Sequence, residues 1–261
     1  MVLPSVSSTN KSLLFFSGGV DSTLIALRMK EEYGNLDNVI AVFFPIHAVY
    51  EIYKGTKKAL YEKRIKNQHS IFTEMCDLVG LDNRIEFLSY DDFTLKNGDN
   101  LIHDQHRCNS VYSSLQLLLE HGVDLNDKAS IVVGINKRIF EGLELLDYLN
   151  ENNITDSEEI KNVIESNPEK YRGIIERGDD LYTNYSWVEK QNSYSILPFS
   201  EMIENKKIFL PLQDYTKADV YKLFKEEEKD IMMAAHNTCD VDYPKVCGKC
   251  DTCVERAKSI S

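Results

Sequence analysis

The stretch Ser17-Gly18-Gly19-Val20-Asp21-Ser22-Thr23 decides the fold of this 261-residue chain. It follows an apolar run, Leu13–Phe16, that is typical of a buried strand, and it precedes apolar residues at helical spacing from Leu24 to Met29. A strand, a glycine turn and a helix N-terminus together form an anion site, because glycines permit the turn and free N–H groups point at a phosphate. The stretch lacks the lysine and the G-x-x-x-x-G-K-[ST] spacing of a Walker A loop. The pattern therefore favours binding of pyrophosphate over transfer of a γ-phosphoryl group.

Strand-like runs alternate with helix-like runs along the chain. The strand candidates are Leu13–Phe16, Val39–Phe44, Arg84–Leu88 and Ser130–Val133. Helical spacing of apolar residues predicts helices around 65–79 and 111–121, the second ended by Gly122. This alternation predicts an α/β fold, with a doubly wound, mostly parallel sheet covered by helices on both faces.

Composition divides the chain into three expected regions. They are a nucleotide-binding core at 1–140, a helical insertion near the acceptor site at 141–205 and a C-terminal helical region at 206–261. Thr155 with Glu158 predicts a capping box at the start of a short helix inside the insertion. The segment Thr216–Asp219 predicts a second capped helix in the C-terminal region.

Composition and charge narrow the classes of function. Hydrophobic residues make up 43% of the chain, and no apolar run has the length of a membrane span. The N-terminal residues lack the apolar core of a signal peptide, so we expect a cytoplasmic protein. The net charge of −12 disfavours direct binding of nucleic acid, since phosphate neutralisation needs a basic face. We therefore expect small-molecule substrates, and the sequence leaves a homodimer open.

Four of the six cysteines cluster near the C-terminus as Cys239-x7-Cys247-x2-Cys250-x2-Cys253. Disulfides are rare in a cytoplasmic chain, so clustered cysteines indicate a metal. Four thiolates predict a closed tetrahedral zinc site with a structural role. The spacing alone leaves an iron–sulfur cluster or a reduced, metal-free tail open. We expect structural roles for the other two, Cys76 and Cys108.

The glycine stretch resembles the S-G-G-x-D-S signature of the PP-loop ATP pyrophosphatases. Together with the cysteine tail, it resembles the 7-cyano-7-deazaguanine synthase family of the queuosine pathway. Residues 247–257 are similar to the family ending C-G-x-C-x-x-C-x-x-R-A, and Pro211-Leu212 with Thr216–Asp219 is similar to its P-L…K-[AE]-[DE] segment. His106-Arg107-Cys108-Asn109 resembles the Gly-Arg-Asn of the family, with His106 at the glycine.

The resemblance implies a synthase that adenylates 7-carboxy-7-deazaguanine with ATP and uses ammonia to form the nitrile or the amide, releasing AMP and pyrophosphate. The implied ATP-binding residues are Phe16, Ser17, Gly18, Gly19, Val20, Asp21, Ser22 and Thr23. Asp21, Ser22 and Lys217 are the implied catalytic residues, with Mg2+ near Asp21. Lys217 neutralises the α-phosphate in this interpretation, and a solvated lysine in a first helical turn is its alternative. Arg107 and Asn109 are candidate substrate-binding residues, and Zn2+ is the implied metal of the four cysteines.

The chain departs from the family pattern at two points. Pro45-Ile46-His47 replaces an acidic-aromatic-glycine turn after the second strand, and the segment 134–142 lacks the Y-P-D-C-R string that helps to hold the deazaguanine. A replacement carboxylate could come from Glu141, Glu144 or Asp147. The departures leave two alternatives open. One is a PP-loop enzyme that adenylates a small carboxylate, a protein terminus or a tRNA base, and the other is a catalytically inactive, zinc-stabilised nucleotide-binding module.

Overall fold

The computed structural model describes residues 1–4, 11–100, 129–134, 136–177, 208–236, 238–239, 241–249, 253 and 257. Several predictions of the sequence analysis lie outside these ranges: the helix at 111–121 with Gly122, the stretch His106–Asn109 that includes Arg107, Cys108 and Asn109, Cys250, and part of the insertion at 178–205. They stay predictions.

Five parallel strands form one sheet within the described ranges, in the order β3-β2-β1-β4-β5. The strands are β1 Lys11–Phe15, β2 Val39–Phe43, β3 Arg84–Glu86, β4 Ala129–Val133 and β5 Ile208–Phe209. The predicted α/β class with a parallel sheet is therefore confirmed, and each of the four predicted strands is present. The two-residue β5 carries too short a pattern to be recognised as a strand from sequence.

Eight α-helices accompany this sheet in the described part of the chain. They are α1 Val20–Tyr33, α2 Ile46–Tyr53, α3 Lys58–Val79, α4 Lys137–Glu151, α5 Ser157–Glu165, α6 Arg172–Arg177, α7 Lys217–Lys222 and α8 Lys229–His236. Helix α3 contains the predicted helix at 65–79. Helix α1 ends at Gly34 and helix α3 ends at Gly80, and both glycines have the left-handed backbone conformation that terminates a helix. The chain then turns towards the next strand.

Both faces of the sheet are buried because side chains alternate along each strand. Leu14 and Val132 point to a core that includes Leu24 of α1 and Phe72 of α3. Their neighbours Leu13 and Ile131 point to the opposite core. This second core also contains Val49 and Tyr50 of α2, and Phe87 and Phe93 from the segment after β3. Helices therefore cover the two faces, as the doubly wound prediction requires.

Helices α4, α5 and α6 pack around a third apolar cluster. Its buried members are Leu145, Leu149, Ile160, Ile164, Tyr171 and Ile174. The cap of α5 differs from the prediction, since Asp156 rather than Thr155 lies at the N-cap. The Asp156 carboxylate accepts the N–H groups of Glu158 and Glu159 at 3.0 and 3.1 Å. A carboxylate accepts two such bonds, so Asp156 caps this helix.

The C-terminal region packs on α1 and α3. The Asn67 side chain donates to the Val241 carbonyl at 3.0 Å, and Lys63 forms an ion pair with Asp242 at 2.9 Å. The Tyr243 hydroxyl bonds to Glu74. The predicted capping box of α7 is confirmed, with the Thr216 hydroxyl accepting from the backbone of Asp219.

Candidate functional site

The strand order places the glycine stretch at the switch point of the sheet, between β1 and β4. Ligands of open α/β sheets bind at the carboxyl ends of the strands at such a point. Gly134 follows β4 there, and a Cβ on it would lie 3.4 Å from both the Asp21 Cβ and the Ser22 nitrogen. The missing side chain therefore lets the end of β4 approach the start of α1.

The glycine loop, Ser17–Gly19, is held by its own hydroxyl groups. The Ser17 N–H donates to Ser22 Oγ at 3.2 Å, Ser22 Oγ donates to the Gly19 carbonyl at 3.2 Å, and the Gly19 N–H donates to Ser17 Oγ at 3.3 Å. Gly18 has φ +73°, and a Cβ on it would lie 2.8 Å from Ile71 Cγ2. Only glycine fits this position without a shift of α3.

Helix α1 begins at the glycine loop without a side-chain cap. Its N-cap is Gly19, and no described side chain bonds to its first-turn N–H groups as a cap. Helices α5 and α7 are capped by Asp156 and Thr216. The N-terminus of a 14-residue helix carries a partial positive charge and unpaired donors. The start of α1 therefore has the geometry of an anion site, and binding of phosphate there stays a prediction.

The structure brings three distant polar residues together beside this loop. The Lys217 Nζ donates to Asp21 Oδ2 at 2.7 Å, and the Asn136 Nδ2 donates to the same oxygen at 3.3 Å. The Lys217 and Asp21 side chains are only 18% and 17% exposed, so Lys217 is not the solvated lysine of the alternative interpretation. The second carboxylate oxygen, Asp21 Oδ1, is buried and has no hydrogen-bond partner among the described residues.

The donor set at Asp21 fits a magnesium ion. Mg2+ prefers carboxylate oxygens and is usually held by one or two of them together with substrate phosphates. A buried, unpaired carboxylate oxygen beside a helix N-terminus offers such a ligand. Val20 and Thr23, also predicted in the ATP site, are 1% and 0% exposed, so their side chains are not open to a ligand.

A cavity of about 350 Å³ opens at the carboxyl ends of β1 and β2, next to the glycine loop. Its walls are aromatic at Phe15, Phe16, Phe43 and Phe44. Ser17 and Gly19 of the loop line one part of it. Size and lining are those of a small-molecule site, and aromatic walls suit a planar ring.

The cysteine cluster has the geometry of a metal site in its described members. The sulfurs of Cys239, Cys247 and Cys253 lie within 4.8 Å of one another, and those of Cys247 and Cys253 are 3.9 Å apart. Tetrahedral zinc with Zn–S bonds of about 2.3 Å separates its sulfurs by about 3.8 Å. Backbone N–H groups of Asp242 and Lys249 donate to two of the sulfurs, each at 3.4 Å. The three cysteines could therefore hold a metal such as zinc.

Cys76 contrasts with this cluster. It is fully buried in the core of α1 and α3, and burial raises the pKa of its thiol to about 12. A neutral, buried thiol neither binds a metal nor attacks an electrophile. Its placement agrees with the structural role expected from sequence.

Residues 184–261 match the family model described as queuosine biosynthesis protein QueC. The predicted resemblance is confirmed over this segment. The QueC-matched segment contains Lys217 and all four clustered cysteines, whereas the glycine loop precedes it. No curated protein and no solved structure gives a significant match to the chain. The match suggests a role in queuosine biosynthesis and an ATP-using enzyme.

Sequence reasoning missed three residues of the site. Gly134 and Asn136 follow the predicted fourth strand, but only the pairing of that strand with β1 places them at Asp21. Gln68 lines the cavity from α3, and its spacing gave no signal.

Glu141, a candidate replacement carboxylate, is 2% exposed and accepts the Ile174 N–H at 3.0 Å. This bond joins α4 to α6, and the role of Glu141 as a replacement carboxylate stays a prediction.

Within the described ranges, every helix is too short or too polar to span a membrane.

Proposed function

We propose that this protein is an ATP-dependent synthase that adenylates the carboxylate of 7-carboxy-7-deazaguanine and uses ammonia to form the nitrile or the amide. One observation carries the proposal. Lys217, from the QueC-matched segment, forms an ion pair with Asp21 at the glycine loop. The glycine stretch and the segment that contains Lys217, which both resemble the family, therefore lie side by side, and this contact supports a shared ATP site.

The first step transfers AMP. A carboxylate oxygen of the acceptor attacks the α-phosphorus of ATP, and the bond from this phosphorus to the bridging oxygen of the β-phosphate breaks. The first turn of α1 binds the departing pyrophosphate, and the Lys217 ammonium neutralises charge at the α-phosphate. Asp21 would hold Mg2+, which would supply positive charge to the phosphate oxygens. The rate gain comes from positioning and charge stabilisation in a site that the loop shapes in advance.

The second half of the reaction uses the acyl adenylate. Ammonia attacks the carbonyl carbon, AMP leaves with the carboxylate oxygen that it carried, and a proton is lost to give the amide. For the nitrile, the amide oxygen attacks a second ATP and releases pyrophosphate. Loss of AMP and of the two remaining N–H protons then leaves the carbon–nitrogen triple bond. The nucleotide product is AMP in both rounds.

The acceptor is proposed from the family resemblance, which the QueC match supports, and not from geometry, since Arg107 and Asn109 lie outside the described residues. The test is incubation with 7-carboxy-7-deazaguanine, ammonium and MgATP, followed by mass spectrometry of the base. We expect the mass of the nitrile or the amide, and no such product from Asp21→Ala. AMP formation with some other carboxylate, and none with this one, would move the proposal to a different acceptor.

A further inference from the structure

The polar side chains that line the cavity differ in what they bind. Among the described lining residues, those with polar side chains are Ser17, Gln68 and Thr238. The Ser17 hydroxyl accepts the Gly19 N–H, and the Thr238 hydroxyl donates to the Ala235 carbonyl at 2.9 Å. The Gln68 carboxamide makes no hydrogen bond to another residue that the structure describes. Of these three described side chains, Gln68 is thus the one whose polar group is available to a ligand.

Helix α3 fixes the position of Gln68 relative to the glycine loop. Gln68 lies one turn before Ile71, which also lines the cavity and packs directly against Gly18. A nucleotide with its phosphates at the start of α1 would place its base in the aromatic part of the cavity. There the aromatic lining can contact the base, and Gln68 can meet its edge.

The chemistry of a carboxamide suits the edge of adenine. A glutamine presents one N–H2 donor and one carbonyl acceptor side by side. Adenine presents the complementary pair, an N6–H2 donor beside a ring-nitrogen acceptor, and glutamine bonds to it through both groups. The remaining walls of the cavity are mainly apolar, so an unmatched polar edge there loses hydrogen bonds to water.

We propose that Gln68 is a specificity-determining residue that hydrogen-bonds the adenine edge of the nucleotide bound at the glycine loop. The inference rests on the proposed function, because it requires ATP as the ligand. It adds a residue outside the glycine stretch and outside the QueC-matched segment, and it assigns the base to the β1–β2 side of the sheet.

The test compares Gln68→Leu and Gln68→Glu with the unaltered protein. Calorimetry measures the binding of MgATP, MgGTP and magnesium tripolyphosphate, and Gln213→Leu serves as a matched control because Gln213 does not line the cavity. Gln68→Leu loses the base contact, so we expect ATP binding to weaken about tenfold. Tripolyphosphate binding should stay unchanged, since it depends on the loop alone.

Gln68→Glu separates base recognition from a structural effect. Its carboxylate accepts from N6–H2 of adenine but repels the ring-nitrogen lone pair, whereas guanine offers it two donors, N1–H and N2–H2. We therefore expect the ratio of ATP to GTP affinity to fall further than in Gln68→Leu. Equal ATP affinity in all four proteins overturns the role of Gln68, as does an equal loss of tripolyphosphate binding. Absence of ATP binding by the unaltered protein overturns the proposed function itself.

Discussion

The glycine loop and the cysteine cluster are both short motifs, yet different forces hold them. The loop is closed by Ser17 and Ser22, and behind it Val20 and Leu24 are buried in the largest core. Between Cys239 and Cys253, most of the described residues 241–249 are exposed, and Pro244, Val246 and Lys249 are among them. Apolar burial therefore stabilises the loop without a ligand, whereas we expect the cluster to depend on bonds to a metal. Each of the following predictions tests this difference.

Metal removal should have the largest effect, and it should affect the cluster. Elemental analysis should find about one zinc ion per chain. Cys253→Ala should lose the metal, because it removes one of the ligands. The segment should then lose stability, since metal binding to a structural site contributes about 10 kcal/mol to folding. Cys76→Ala is the control, since it makes a cavity in the core but should keep the metal. Iron with a visible absorption band, or full metal content in Cys253→Ala, would contradict the prediction.

Lys217→Met should reduce turnover and leave the fold and the metal content intact. It removes the charge placed at the α-phosphate, and loss of one such group lowers kcat by about 10²–10³-fold. Asp21→Asn should do the same, and the double variant should lose far less than the product of the two effects, since the residues act as a pair. Steady-state kinetics checks this. Independent, multiplicative losses would show that Lys217 and Asp21 do not share one site.

Much of the loop could be predicted because it depends on residues near each other in sequence. The strand before Ser17, the helix after Gly19 and the capping box of Thr216 are local patterns, and each is present. Asn136 and Gln68 reach the site through strand order and helix packing, which a local pattern does not encode. The cap of α5 shows the same limit at short range, since Thr155 and Asp156 compete and the backbone at Asp156 decides.

Gly18→Ala should destabilise the fold more than Gly55→Ala. Both residues have φ +73°, but a Cβ at Gly18 would meet Ile71 at 2.8 Å, whereas nothing lies within 4 Å of one at Gly55. The common φ cost is about 1 kcal/mol, and the contact with α3 should add about 1–3 kcal/mol. Urea unfolding measures the difference. Equal destabilisation would mean that the loop is not packed against α3 as described.

The smallest effect concerns pH, at the ion pair that joins α1 to the turn before α8. Burial raises the pKa of Glu228, but the hydrogen bonds from Arg28 and the Lys225 backbone outweigh it and hold the pKa below its usual 4.5. Its contribution to stability is complete above pH 4.5 and is lost as the pH falls through the lower folded-state pKa. The stability difference between the unaltered protein and Glu228→Gln should therefore shrink below pH 4.5. A stability difference between the two proteins that does not change with pH would contradict the ion pair.

The products of ATP cleavage test the central claim most directly. Phosphorus NMR of a reaction with MgATP, ammonium and 7-carboxy-7-deazaguanine distinguishes the two possible bonds. A loop without a Walker lysine, with Lys217 at Asp21, predicts AMP and pyrophosphate. ADP and inorganic phosphate as the main products would contradict the account.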